Sequence, residues 1–271
     1  MPELPEVEFA RKILERGLLG KTVHAVALGE RRILGDATTL RHARDLTGRR
    51  VRAIERRGKW LRLSFSGEPK RFLFSHLGMT GRWIVAPDEA RFEKARLDVR
   101  GKRGAITSAR YLDPRMFGAI WITDGDIPAW TELGPDPITD GIDEARLAAA
   151  LERRRGPIKV ALLDQSLCAG VGNIHAIEAL FRARIDPRRP AKSLSRSEVK
   201  RLVRGVLGSL GDALASQEGA ETLPYLGEGA HVENPFAIYG REGQPCPRCR
   251  TPLAKLVLAG RGTVLCGRCQ T

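Results

Sequence analysis

The spacing of apolar residues changes character several times along the chain. Over residues 5–19, Val7, Ala10, Ile13, Leu14 and Leu18 recur at helical spacing, with Gly17 and Gly20 near the end. That pattern predicts a first helix. From 21 to about 123 the signal becomes β. The runs 22–28, 50–56, 59–65, 71–77, 82–85, 105–111 and 118–122 are short and separated by Gly, Pro or charge. In the third run Leu61, Leu63 and Phe65 face one way while Trp60, Arg62 and Ser64 face the other, as in a half-buried strand. Many short strands at close spacing predict a sandwich or barrel. A short helix at 38–46 interrupts them.

Residues 124–142 are rich in Gly, Pro and Asp and read as an interdomain linker. Beyond 143 the chain turns helical. An Ala- and Leu-rich helix covers 143–155 and ends in Arg153-Arg154-Arg155. Pro157 opens another helix reaching about 167. Ala169-Gly170-Val171-Gly172 is a tight turn, and Asn173 suits the N-cap of a helix over 174–182. Ser195 and Glu198 form a capping-box pattern ahead of Val199, Leu202, Val203, Val206 and Leu210. Residues 216–244 read as a loop followed by an extended segment through Ile238-Tyr239. The last stretch alternates as a β-hairpin, with Leu253, Lys255 and Val257 on one arm and residues 263–265 on the other.

Composition narrows the function. The 271 residues suit two domains, and 42% apolar content allows sizeable cores. Lys and Arg number 46 against 32 Asp and Glu, a net charge of +14 that favours a polyanionic partner, nucleic acid foremost. An anionic membrane competes for that charge, but no long apolar stretch or basic amphipathic helix stands out. The N-terminus lacks the basic and apolar regions of a secretory signal, which implies a reducing compartment. Four of the five cysteines close the chain as Cys246-Pro-Arg-Cys249, sixteen residues, then Cys266-Gly-Arg-Cys269. This spacing fits a tetrahedral zinc site. With all four positions cysteine, no coordination position stays open, so such a zinc is structural. Arg248, Arg261 and Arg268 make the module basic. Cys168 stands apart and reads as an inert buried thiol.

The first residues, Met1-Pro2-Glu3-Leu4-Pro5-Glu6-Val7-Glu8, carry candidate chemistry. Removal of Met1 leaves Pro2 with a free secondary amine, whose pKa of roughly 7.7–8.0 keeps a useful fraction neutral and nucleophilic. A nearby helix N-terminus lowers that value further. An amine beside the carboxyl groups of Glu3 and Glu6 is equipped for covalent carbonyl chemistry with proton transfer. Alternatively, Pro2 and Pro5 simply start a helix whose dipole Glu6 and Glu8 complement. The Gly turn with Asn173 likewise reads either as a phosphate site or as an ordinary helical hairpin.

These segments together resemble the formamidopyrimidine-DNA glycosylase/endonuclease VIII family of base-excision repair enzymes over essentially the whole chain. The matching motifs are Pro2-Glu3-Leu4-Pro5-Glu6-Val7-Glu8, Gly58-Lys59-Trp60-Leu61, His76-Leu77-Gly78-Met79, Asp113-Pro114-Arg115-Met116-Phe117-Gly118, Glu132-Leu133-Gly134-Pro135, Leu163-Asp164-Gln165 with Gly170-Val171-Gly172-Asn173-Ile174, Tyr239-Gly240-Arg241, and the terminal cysteines. Leu4-Pro5 looks like the formamidopyrimidine branch.

The resemblance implies an α+β fold: an N-terminal β-sandwich with flanking helices (1–125), a linker (126–142), a helix–two-turn–helix domain (143–240) and a four-cysteine zinc finger (241–271). It implies that Pro2 is the nucleophile, Glu3 the general acid/base and Glu6 its support. Lys59 contacts the backbone and donates a proton in β-elimination. Asn173 and Arg261 hold phosphates flanking the lesion, and Arg261 is linked to δ-elimination. Met79, Arg115 and Phe117 fill the gap left by an extruded nucleotide. His76, Arg154 and Lys159 add DNA contacts. On the residues alone, core packing for Met79 and Phe117 and a surface ion pair for Arg115 are the preferred readings.

The expected substrate is damaged double-stranded DNA carrying oxidised purines, and the expected cofactor is one structural Zn2+. The alternatives are oxidised pyrimidines, or damage recognition without cutting. The expected state is a cytoplasmic monomer without a membrane anchor. The chain departs from the family pattern at His175, where tyrosine is common, at Met116, where a basic residue is frequent, and over 219–235.

Overall fold

The computed structural model describes residues 2–220 and 234–271. The 219–235 departure therefore falls almost wholly outside the described residues. Two compact units make up the chain, Met1–Glu132 and Leu133–Thr271.

In the first unit, helix α1 (Leu4–Leu18) is followed by β1 (Thr22–Leu28), α2 (Thr38–Arg44), β2 (Val51–Arg57), β3 (Trp60–Phe65), β4 (Arg71–His76), β5 (Arg82–Val85), β6 (Glu93–Arg100), β7 (Ile106–Leu112), β8 (Ala119–Thr123) and α3 (Pro128–Thr131). The strands form two antiparallel four-stranded sheets, in the orders β1-β6-β7-β5 and β2-β3-β4-β8. The expected sandwich is thus present. Its core holds Leu61, Leu63 and Leu73 from one sheet and Leu97, Val99, Ala109 and Tyr111 from the other, with Val7, Leu14 and Leu18 of α1 in the same cluster.

The strand β6 is an addition to the sequence reading. Its buried Ala95, Leu97 and Val99 alternate with Lys94, Arg96 and Asp98, but Asp98 is itself buried. Five charged residues in eight hide the alternation. They are tolerated because they pair laterally: Arg96 Nε donates to Asp98 at 3.1 Å, and the Ser108 hydroxyl donates to the same carboxylate at 2.7 Å.

The second unit contains α4 (Glu144–Glu152), α5 (Ile158–Leu162), α6 (Asn173–Ala183), α7 (Arg196–Ser216), β9 (Ala254–Leu258) and β10 (Arg261–Leu265). The predicted capping box is formed: the Ser195 side chain accepts from the Glu198 N–H while the Glu198 carboxylate accepts from the Ser195 N–H at 2.8 Å. Three expectations are corrected. The helix after Pro157 ends at Leu162 rather than near 167, with Pro157 as its N-cap. Gly172, not Asn173, caps α6, and Asn173 is its first residue. The segment through Ile238-Tyr239 bends rather than extends, because one buried carboxylate gathers it: Glu178 of α6 accepts from the N–H groups of Ala237, Ile238 and Tyr239 at 2.9–3.1 Å. Among the described residues, no helix is long and apolar enough to cross a membrane.

Candidate active site and nucleic-acid interface

The start of α1 is built by its own first turn. Glu3 is the N-cap and Pro5 lies in the first turn, where a missing N–H costs nothing. Glu3 and Glu6 form a reciprocal capping box, in which the Glu3 N–H donates to Glu6 Oε2 at 2.6 Å. Both carboxyl groups are buried, as is Pro2 beside them. Burial, and after it the neighbouring Glu3, push the Glu6 carboxyl up to about 8. Glu6 is therefore a protonated acid at neutral pH. The helix-start reading of these residues is realised, and the same turn buries two carboxyl groups within four residues of Pro2.

Lys59 sits in the β2–β3 hairpin, directly after Gly58, whose φ of 56° takes the turn through the left-handed region. Trp60 then begins β3 and packs its ring 4.9 Å from that of His76, the last residue of β4. Burial, and then the charge of Lys59, push His76 down to about 4. The imidazole is thus neutral, and its Nδ1 accepts from the Gly78 N–H at 3.1 Å.

The next residues form a second group. Met79 is exposed at 41% and Phe117 at 55%. The Arg115 guanidinium lies 4.9 Å from the Phe117 ring centroid. Met79 belongs to the β4–β5 loop, and Arg115 and Phe117 to the β7–β8 loop. The two loops touch through Gly78. At its φ of 62° a Cβ would fall 2.3 Å from the Phe117 carbonyl carbon, so only glycine fits. Of the alternative readings, core packing is excluded for Met79 and Phe117 by their exposure.

In the second unit, Gln165 fastens the Gly turn. Its amide donates to the carbonyls of Leu163 and Val171, and its Oε1 accepts from the Gly170 N–H at 2.9 Å. The turn delivers Asn173 to the start of α6, where its amide donates to the Gly262 carbonyl at 3.0 Å. Gly262 follows Arg261 on the β9–β10 hairpin. The hairpin turns at Ala259 and Gly260, with φ of 47° and 71°, a pair of left-handed residues suited to a two-residue connection. Asn173 and Arg261 are thereby brought together. Arg154 pairs with Asp164 at 2.7 Å. Lys159 is fully buried rather than displayed on the surface. His175 is also buried, with Nδ1 2.8 Å from the Ser209 hydroxyl.

The four terminal cysteines carry no disulfide, and their sulfurs lie within 4.8 Å of one another. Cys246 and Cys269 are 4.0 Å apart and Cys249 and Cys266 3.4 Å. A tetrahedron with bonds of about 2.3 Å to sulfur has edges of about 3.8 Å, so the donor set and its spacing fit Zn2+. Cys246 and Cys266 also pack with Ile177 and Phe181 of α6, which ties the finger to that helix. Cys168 is buried, and burial, then Asp136, push its thiol up to about 12, an inert state.

Two residues at these sites escaped the sequence reading. Glu178 had a detectable signal: a lone acid on the apolar face that carries Ile174, Ile177 and Phe181. Asp113 stood inside a motif without a role, although it is fully buried.

Comparison with known proteins agrees with this geometry. Three family models match in chain order: the formamidopyrimidine-DNA glycosylase N-terminal domain over residues 1–120, the formamidopyrimidine-DNA glycosylase H2TH domain over 133–223, and the zinc finger found in FPG and IleRS over 243–271. A formamidopyrimidine-DNA glycosylase of Laribacter hongkongensis is 41% identical, with both chains covered in full. The crystal structure of the MutM (Fpg) protein from Thermus thermophilus is similar at a TM-score of 0.83 and 37% identity, covering 99% of this chain and 98% of that one. The Lactococcus lactis Fpg in complex with DNA containing FAPY-dG is similar at a TM-score of 0.86 and 29% identity, covering 99% of each chain. Sandwich, helical domain and cysteine cluster thus recur in one order and over one length, and the chain belongs to the formamidopyrimidine-DNA glycosylase family.

Proposed function

We propose that the protein is a DNA glycosylase and abasic-site lyase that removes oxidised purines, formamidopyrimidines and 8-oxoguanine, from duplex DNA. The observation that carries this reading is the buried Pro2-Glu3 start of α1, with the raised acid Glu6 one turn on. The FAPY-dG in the Lactococcus lactis complex supports the choice of substrate.

A base inside a duplex is out of reach, so it must be extruded at a cost of a few kcal/mol. Met79 and Phe117 replace the lost stacking, and Arg115 takes the place of the missing pairing partner. Asn173 and Arg261 hold flanking phosphates, and His76 and Arg154 extend the contact to the backbone. Lys159, being buried, is left out of this set.

With Met1 removed, the Pro2 nitrogen attacks C1′ of the deoxyribose. The N-glycosidic bond breaks and the base leaves with its electron pair and a proton. Glu3 manages proton transfer, and the sugar ring opens at O4′ to an iminium. Because Pro2 is a secondary amine, that iminium is necessarily cationic. Its charge acidifies the C2′ proton; loss of that proton breaks the C3′–O bond, with Lys59 as proton donor. A second elimination, which Arg261 assists, breaks the C5′–O bond. The product is a one-nucleotide gap with phosphate at both ends. The finger's zinc, closed by four thiolates, holds Arg261 in place and takes no step. The same reading makes the protein a monomer that works on the chromosome.

Borohydride trapping tests the proposal. Incubation of the mature protein with abasic-site duplex and sodium borohydride yields a covalent adduct at the N-terminal residue, seen by mass spectrometry. A protein that binds damage without cutting gives none.

A further inference from the structure

Two loops carry the three side chains proposed to enter DNA, and both are fastened to one buried residue. The Asp113 carboxylate is fully buried. It accepts from the Thr80 hydroxyl at 2.6 Å, in the loop of Met79. It also accepts from the Gly118 N–H at 2.8 Å and the Arg115 N–H at 3.3 Å, in the loop of Phe117. Tyr111, two residues earlier on β7, fills the space between the loops. A Cβ on Gly81 would fall 2.1 Å from its hydroxyl oxygen, and a Cβ on Gly118 1.7 Å from it. The same hydroxyl lies 3.4 Å from the His76 carbonyl, where the Met79 loop begins.

Met116 completes the arrangement. Its φ of 53° is rare outside glycine, and its side chain packs against the sandwich core. Holding a non-glycine residue there is strained, and the surrounding contacts must overcome that strain. With Met116 turned inward, its neighbours Arg115 and Phe117 are both exposed.

We propose that Asp113, with Tyr111 behind it, is a positioning residue that locks the Met79 loop to the Arg115–Phe117 loop, so that the three side chains enter the base stack as one preformed body. This rests on the reading of those three side chains as the DNA wedge. A wedge that is rigid before contact avoids the ordering cost that two independent loops would meet on insertion. Asp113 touches neither substrate nor reacting atoms. It acts only through the loops.

The decisive substitution is Thr80→Val. It keeps the side-chain shape and removes the hydrogen bond that links the Met79 loop to Asp113. Two rates are measured on the full-length, zinc-loaded protein: single-turnover excision of 8-oxoguanine from duplex, and strand cleavage at an abasic site in single-stranded DNA. The second reaction has no stack to refill. Loss of one hydrogen bond to a buried charge predicts a fall of about tenfold or more in duplex excision. Single-strand cleavage stays within about twofold, since the chemistry is untouched. Thr80→Ser restores the duplex rate. Adding Thr80→Val to Met79→Ala costs nothing further, because the Met79 loop then carries no wedge side chain for the lock to hold.

Equal loss of both rates overturns the proposal, since the active centre would then be what moved. Unchanged duplex excision in Thr80→Val, with Met79→Ala and Phe117→Ala impaired, overturns the lock and leaves the wedge standing. Unchanged duplex excision in Met79→Ala and Phe117→Ala overturns the wedge reading itself.

Discussion

Glu6 is an unusual burden for the first helix, and Glu6→Gln should expose it. In the folded chain its carboxyl is pushed up to about 8, chiefly by burial; unfolded, it returns to its ordinary value of 4.5. A raised acid binds its proton more tightly when folded. The stability it supplies is fully present below 4.5 and is lost as pH rises through about 8. The slope approaches about 1.4 kcal/mol per pH unit within that window. Between pH 5.5 and 7.5 the wild-type protein therefore loses roughly 2.5 kcal/mol through this one group. Glutamine mimics the protonated acid, keeps an oxygen for the Glu3 N–H, and has no such slope. All four tryptophans, Trp60, Trp83, Trp121 and Trp130, lie in the unit Met1–Glu132, so tryptophan fluorescence follows the unfolding of that unit alone. Urea titrations at pH 5.5, 6.5 and 7.5 should show the two proteins diverging, with Glu6→Gln increasingly the more stable. Every other titrating group is common to both, so their difference isolates Glu6. Parallel pH profiles would refute the reasoning, because a carboxyl that ionises freely in the folded chain costs nothing as pH rises.

Other consequences follow from the same sites. Pro2→Gly should abolish most excision and trapping while duplex affinity changes little; an equal loss of affinity would make Pro2 structural. Arg261→Ala should weaken binding to duplex and lower the slope of log affinity against log salt by about 0.9, the signature of one lost phosphate contact. Asn173→Ala, which removes no charge, should weaken binding without altering that slope; fluorescence anisotropy across a salt series checks both. Chelation of zinc, or Cys249→Ser, should cut duplex affinity steeply, because the hairpin bearing Arg261 and Gly262 is pinned to α6 through the cysteine-centred cluster and the Asn173 amide. Undiminished affinity after chelation would refute that role for the finger.

Much of the site could be read from the sequence because its parts are local. The capping box of Glu3 and Glu6 and each cysteine knuckle span four residues, and the Ser195–Glu198 box needs only its own turn. Backbone geometry places such groups together whatever the rest of the chain does. Strands with clean alternation, such as β3, were equally legible. The strand β6 was not, because its charges find partners on β7 and on itself only once the sheet is assembled. Asn173 fails as an N-cap for a related reason. The chain enters the helix one residue earlier, at Gly172, and the Asn173 Nδ2 donates instead to the Gly262 carbonyl, 89 residues on.

By itself, then, the sequence determined the local capping of the first helix, the metal ligands, the basic charge and the α+β class. All of these follow from residue type, short spacing or sums over the chain. Only the tertiary structure decided the state and use of the individual groups. Burial, which no local pattern reports, turns Glu6 into a protonated acid and His76 into a neutral base. Contact between distant segments makes Gly78 obligatory beneath Phe117 and brings Thr80, 33 residues earlier, onto the Asp113 carboxylate. The reason is common to each case: desolvation and hydrogen bonding depend on what surrounds a group in space, and for these groups the surroundings come from elsewhere in the chain.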